Sequence, residues 1–82
     1  MKLPRDTGGH ELASLLRRYG YQITRQTGSH LRLTSSLKGS EHHLTIPAHK
    51  QLRVGTLNAL LTDIASYLEM DRAKLVEELF SK

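Results

Sequence analysis

The residues best suited to chemistry stand close together in Thr27-Gly28-Ser29-His30-Leu31-Arg32-Leu33-Thr34. A glycine turn opens this stretch and alternation follows it. In a strand, Leu31 and Leu33 fall on one face while His30, Arg32 and Thr34 fall on the other. A histidine and an arginine are thereby set side by side on an open surface. Imidazole exchanges a proton near neutral pH, and guanidinium holds phosphate oxygens in a planar fork. The pair suits contact with a phosphodiester: His30 as the base, Arg32 as the phosphate holder, and the Gly28 and Ser29 amides as further donors where the turn exposes them. The competing reading of His30 is an ordinary solvated strand histidine.

Other candidates lie further along. His43 falls on the open face of a later strand and is the candidate for a second acid or base, provided the two strands pair near His30. His49 follows that strand and is read as a contact for the same phosphate chain rather than a catalytic group. Arg25, Lys38 and Lys50 are rim candidates for phosphate contacts. His42 and His43 are adjacent, but alternation sends them to opposite faces, so they are not read as a metal pair and no metal or other cofactor is expected. The chain has no cysteine. A disulfide scaffold, a thiolate-held zinc and a thiol nucleophile are therefore excluded together.

The elements that must carry these residues follow from periodicity. Residues 1–6 read as an arm. A first helix is expected over about Gly8 to Tyr19, with Thr7 as its cap, an apolar face of Leu12, Leu15, Leu16 and Tyr19, and Gly20 as its stop. Gly8 and Gly9 are poor helix formers and predict a frayed start. Tyr21 to Gln26 alternates, with Tyr21 and Ile23 toward the helix and Gln22, Thr24 and Gln26 outward. Thr27-Gly28 connects a hairpin. The second strand runs from Ser29 to about Ser35, and a mobile polar loop over Ser36 to Ser40 leads to a third over His42 to Ile46, ended by Pro47. Gly55-Thr56 opens a second helix, capped by Thr56, with Leu57, Leu60, Leu61, Ile64 and Leu68 as its stripe. Asp71 caps a short third helix over residues 71–82 with Leu75, Val76, Leu79 and Phe80 inward. The fold class is α+β: a helix, three antiparallel strands and two helices, with one sheet face covered and the other open.

Eighty-two residues allow one small domain, residues 1–82. The net charge of +4 is unevenly placed. From Arg5 to Val54 eight bases face three acids; from Gly55 onward three bases face five acids. A basic body suggests a polyanion partner. The open face has no aromatic residue, which argues against base stacking of the kind used by RRM or OB domains. No apolar run reaches membrane-spanning length and no signal-peptide pattern follows Met1, so a cytoplasmic protein is expected without membrane contact.

Four pieces in order resemble the HicA toxin family: Arg25-Gln26-Thr27-Gly28-Ser29-His30, Ile46-Pro47-Ala48-His49, Gly55-Thr56-Leu57, and the tail from Asp71 to Phe80. Glu11-Leu12 and Gly20-Tyr21 also match. The chain departs from the family pattern between Thr62 and Met70, which is longer and carries Tyr67 and Glu69. The resemblance implies a fold like that of double-stranded-RNA-binding domains. It also implies a metal-independent endoribonuclease that cuts mRNA and is neutralised by a HicB-type antitoxin. It puts His30 at the position of the family's catalytic histidine. Three classes of function stay open: such a toxin; a non-catalytic RNA-binding module using the same face; and a subunit whose open face is covered by a partner protein.

Overall fold

A computed structural model describes residues 6–81. Most of the expected N-terminal arm therefore lies outside the described residues. Helix α1 (Gly9–Leu15) continues into a 3-10 turn, Leu16–Tyr19. Strands β1 (Gln22–Thr27), β2 (His30–Ser35) and β3 (His42–Pro47) form one antiparallel sheet in the order β1-β2-β3. Helices α2 (Val54–Leu68) and α3 (Arg72–Phe80) complete the α+β fold, which is of the double-stranded-RNA-binding-domain type.

The core lies between the helices and one sheet face. Leu31, Leu33, Leu44 and Ile46 from the sheet meet Leu12 and Leu16 from α1 and its extension, Leu57, Leu61 and Ile64 from α2, and Leu75, Val76 and Leu79 from α3. The expected alternation holds in β2 and β3. Asp71 caps α3 as expected, its carboxylate accepting from the Ala73 amide at 3.1 Å.

Several expectations are corrected. Thr7 does not cap α1. Gly8 holds the cap position, and the Glu11 carboxylate accepts from the Gly8 amide at 3.4 Å. Thr7 is instead buried, and its carbonyl accepts from Leu52 at 2.8 Å. Thr56 sits inside α2, whose cap position is Arg53. The frayed helix start is replaced by a tight one. The Gly9 amide donates to the His49 carbonyl at 2.9 Å, a Cβ on Gly8 would stand 2.7 Å from the Lys50 carbonyl oxygen, and one on Gly9 would drive into that of Pro47. The two glycines let the helix backbone press directly on the segment after β3.

β1 also departs from simple alternation. Thr24 is an extra residue, a bulge between Ile23, which faces Leu33, and Arg25, which faces Arg32. The bulge puts Arg25 on the open face with Thr24 and turns Gln26 to the helix side, opposite Leu31. Ile23 is on the helix side but remains 47% exposed, because β1 is an edge strand with little above it.

Candidate active site

The hairpin between β1 and β2 is a two-residue turn, Gly28-Ser29, with Thr27 paired to His30. Gly28 has φ +56°, the positive value that the first position of such a turn requires and that glycine takes without steric cost. Nothing lies within 4 Å of where a Gly28 side chain would be, so the turn is open to an approaching ligand. On the other side, the Ala48 amide donates to the Ser29 carbonyl at 2.6 Å. The turn is thus tied to the end of β3, which the two glycines of α1 tie to the helix. His30 stands at the end of a strand fixed from three directions.

The register orders the open face into rows. Thr27, His30 and Pro47 form the first; Arg25, Arg32 and Thr45 the second; Thr34 and His43 the third, joined by Thr24. Successive rows are about 7 Å apart, the rise of two strand residues. A depression of about 180 Å³ is lined by Arg25, Thr27, His30, Arg32 and Thr45. Arg25 and Arg32 are direct cross-strand neighbours. Like charges in that relation repel and destabilise the sheet. Among the described residues neither arginine makes an ion pair with a carboxylate, and no carboxylate lines the depression. Two unneutralised guanidinium groups and an exposed imidazole around one hollow form a place for an anion.

The expected site residues divide by position. His30, Arg32, Arg25, Gly28 and Ser29 come together at the hairpin end. His49 and Lys50 are exposed at the same end, just past Pro47, which pairs with His30. His43 does not join them. It pairs with Thr34, about 13 Å along the strand from His30, so the expected approach of the two imidazoles is not met. Its Nδ1 lies 2.9 Å from the Thr34 hydroxyl and its Nε2 lies 3.7 Å from Glu41. Lys38 is beyond the far end of the sheet, paired with Glu69 at 3.4 Å. The Lys38 amide also donates to the Tyr67 hydroxyl at 3.0 Å, and that hydroxyl donates to the Ser40 carbonyl at 2.6 Å, so the loop expected to be mobile is pinned to α2. Sequence reasoning missed Gly8 and Gly9 as positioning residues. Their pairing just before a helix was the available signal, since glycine there serves poorly unless backbone must come close.

The domain is thus an α+β fold whose open sheet face carries a basic hollow, its two arginines without an ion pair among the described residues. Residues 9–65 match the family model described as the HicA toxin of bacterial toxin–antitoxin, and the chain belongs to that family. It is accordingly a toxin of the toxin–antitoxin kind. The match covers all three strands and most of α2, and it ends before Tyr67 and α3. No curated protein and no solved structure gives a significant match.

Proposed function

We propose that the chain is an mRNA-cleaving endoribonuclease in which His30 moves the proton, and that a HicB-type antitoxin neutralises it by covering the open face with acidic residues. The observation that carries this reading is the hollow in which His30 stands beside the opposed pair Arg25 and Arg32. Bound there, a phosphodiester would place its non-bridging oxygens on the guanidinium groups. His30 would take the proton from the 2′-hydroxyl. The 2′-oxygen then bonds to phosphorus as the bond to the 5′-oxygen breaks. The proton returns through solvent to the departing 5′-oxygen, leaving a 2′,3′-cyclic phosphate and a 5′-hydroxyl. Ser29 and Gly28 amides at the turn can add donors as charge builds on the phosphate. Lys50 extends the cationic surface along the RNA, and His49 beside it adds a hydrogen-bonding group. The donor set is imidazole, guanidinium and amide, with no carboxylate to hold a cation in the hollow, which supports chemistry without a metal.

The test compares wild type with His30→Ala for cleavage of single-stranded RNA in a buffer containing chelator, alongside RNA affinity and growth on induction. Loss of about two to four orders of magnitude in cleavage is expected, with affinity close to wild type and growth arrest abolished. Growth arrest by the variant equal to that of wild type would remove His30 from the mechanism and leave a binding mode of toxicity.

A further inference from the structure

A second surface lies on the helix side of the sheet, away from the hollow. β1 is an edge strand, and all six of its residues are exposed. Between it and α1 runs a groove of about 420 Å³ lined by His10, Ala13, Ser14, Arg17, Gln22 and Ile23. Its floor is small and apolar at Ala13, its rim holds a half-exposed isoleucine, and its two titratable groups are cationic or neutral. No carboxylate lines it, and among the described residues neither His10 nor Arg17 makes an ion pair.

We propose that this groove receives an extended acidic segment of a partner protein, laid beside the free edge of β1 with an apolar side chain against Ile23. An open strand edge offers backbone donors and acceptors that an extended peptide can use, and pockets beside the edge read its alternate side chains. The charge selects the peptide: carboxylates would meet Arg17, with His10 beside it on the same helix. A symmetric contact with the same groove of a second copy fits poorly, since it sets like cations together with no acid between them. RNA could answer the charge, but it has no use for the strand edge or for Ile23. The inference rests on the reading of the chain as a toxin held by a protein partner. It adds a grip that is separate from the cover over His30, so a partner can hold the toxin by one face while its acidic cover opens or closes on the other.

The test is an NMR titration of the isotope-labelled chain with two short synthetic peptides, one alternating glutamate with valine and one alternating lysine with valine. The glutamate peptide is expected to shift amides of β1 and of α1 from His10 onward, and the lysine peptide to leave them in place. Arg17→Glu should weaken the glutamate peptide about tenfold or more, since it sets like charges together, and Ile23→Ser should weaken it by a smaller factor. Both side chains are at the surface and outside the hollow, so each variant is expected to cleave RNA as wild type does, which also reports that it is folded. His30→Ala should bind the peptide normally, and this separates the two readings: peptide binding without RNA cleavage by wild type would sink the nuclease and spare the groove. Equal response to both peptides, a response confined to residues around His30 and Arg32, or no response would overturn the proposal. So would single-stranded RNA shifting the groove amides in place of those of the open face.

Discussion

The two ends of the sheet carry similar residues in opposite states. At the hairpin end stand His30, Arg25 and Arg32, exposed and without ion pairs among the described residues. At the loop end every comparable group has a partner. The His42 ring stacks on Tyr67 at 4.6 Å between centroids and 11° between planes. Its Nε2 lies 3.1 Å from Asp63, which as a carboxylate only accepts, so Nε2 carries a proton. In the neutral ring Nδ1 then accepts from the Tyr21 hydroxyl at 2.7 Å. Lys38 pairs with Glu69 and His43 sits between Thr34 and Glu41. Polar groups that complete one another stabilise the fold, whereas opposed cations without a counter-charge destabilise it. The contrast bears on the role proposed for His30: among the described residues its ring has no partner, whereas those of His42 and His43 do.

The contrast can be broken at either end. The largest effect is expected at the hairpin end from Arg32→Gln. Losing a charge-assisted phosphate contact should weaken RNA binding by about 1.5–3 kcal/mol, and the slope of log affinity against log salt should flatten by about 0.7 for a single strand. Stability should stay within about 0.5 kcal/mol of wild type, as for a surface change, and any drift should be upward because the repulsion with Arg25 is relieved. Salt-dependent binding and urea unfolding of the same preparation give both numbers. Reduced stability with unchanged salt slope would mean that Arg32 holds the sheet and not the ligand.

At the loop end the effect is smaller and of the other kind. Tyr67→Phe keeps the ring on His42 but removes the hydroxyl that bridges Ser40 and Lys38. A cost of about 1 kcal/mol is expected, read as a drop of roughly 4–8 °C in Tm for a domain of this size. RNA affinity and cleavage per folded molecule should not change. A fall in cleavage at full folding would tie the loop to the site and erase the division between the ends.

That division was only partly legible in the sequence. Alternation in β2 and β3 is strict, so the faces of His30, Arg32, Leu44 and His43 could be read from period two alone. The bulge at Thr24 could not, since one extra residue in an edge strand leaves no mark in its hydrophobic pattern. It moved Arg25 from the rim to a place opposite Arg32. Register was equally hidden. The length of the loop between β2 and β3 decides whether His43 meets His30 or Thr34, and local propensity does not fix it. The misplaced cap of α1 has a tertiary cause: backbone bonds from the Leu52 amide to the Thr7 carbonyl and from the Gly9 amide to the His49 carbonyl set where α1 begins, and they override the hydroxyl preference. Tyr67 and Glu69 stood out as departures from the family pattern, and their contacts with residues 38 and 40 give those departures a physical use.

The gentlest probe of the comparison is alkaline pH, because it acts on the packed end and spares the hollow. Burial, and then the Glu78 carboxylate that accepts from the Tyr19 hydroxyl at 2.5 Å, push the Tyr19 phenol up to about 12, with Arg18 pulling the other way. Burial, then Tyr67 and Asp63, raise Tyr21 as well. An unfolded tyrosine ionises near about 10. Both groups are therefore neutral in the fold when the unfolded chain has begun to lose its protons. Their contribution is fully present below pH of about 10 and is lost for Tyr19 as pH climbs toward about 12. Urea midpoints measured at steps from neutral to strongly alkaline pH should fall over that window. In Tyr19→Phe the fall should be shallower, from a start already lowered by the lost hydrogen bond to Glu78. In His30→Ala it should match wild type. An alkaline fall that His30→Ala changes and Tyr19→Phe does not would place the titrating, stabilising groups at the hairpin end, and the two ends would have to exchange roles.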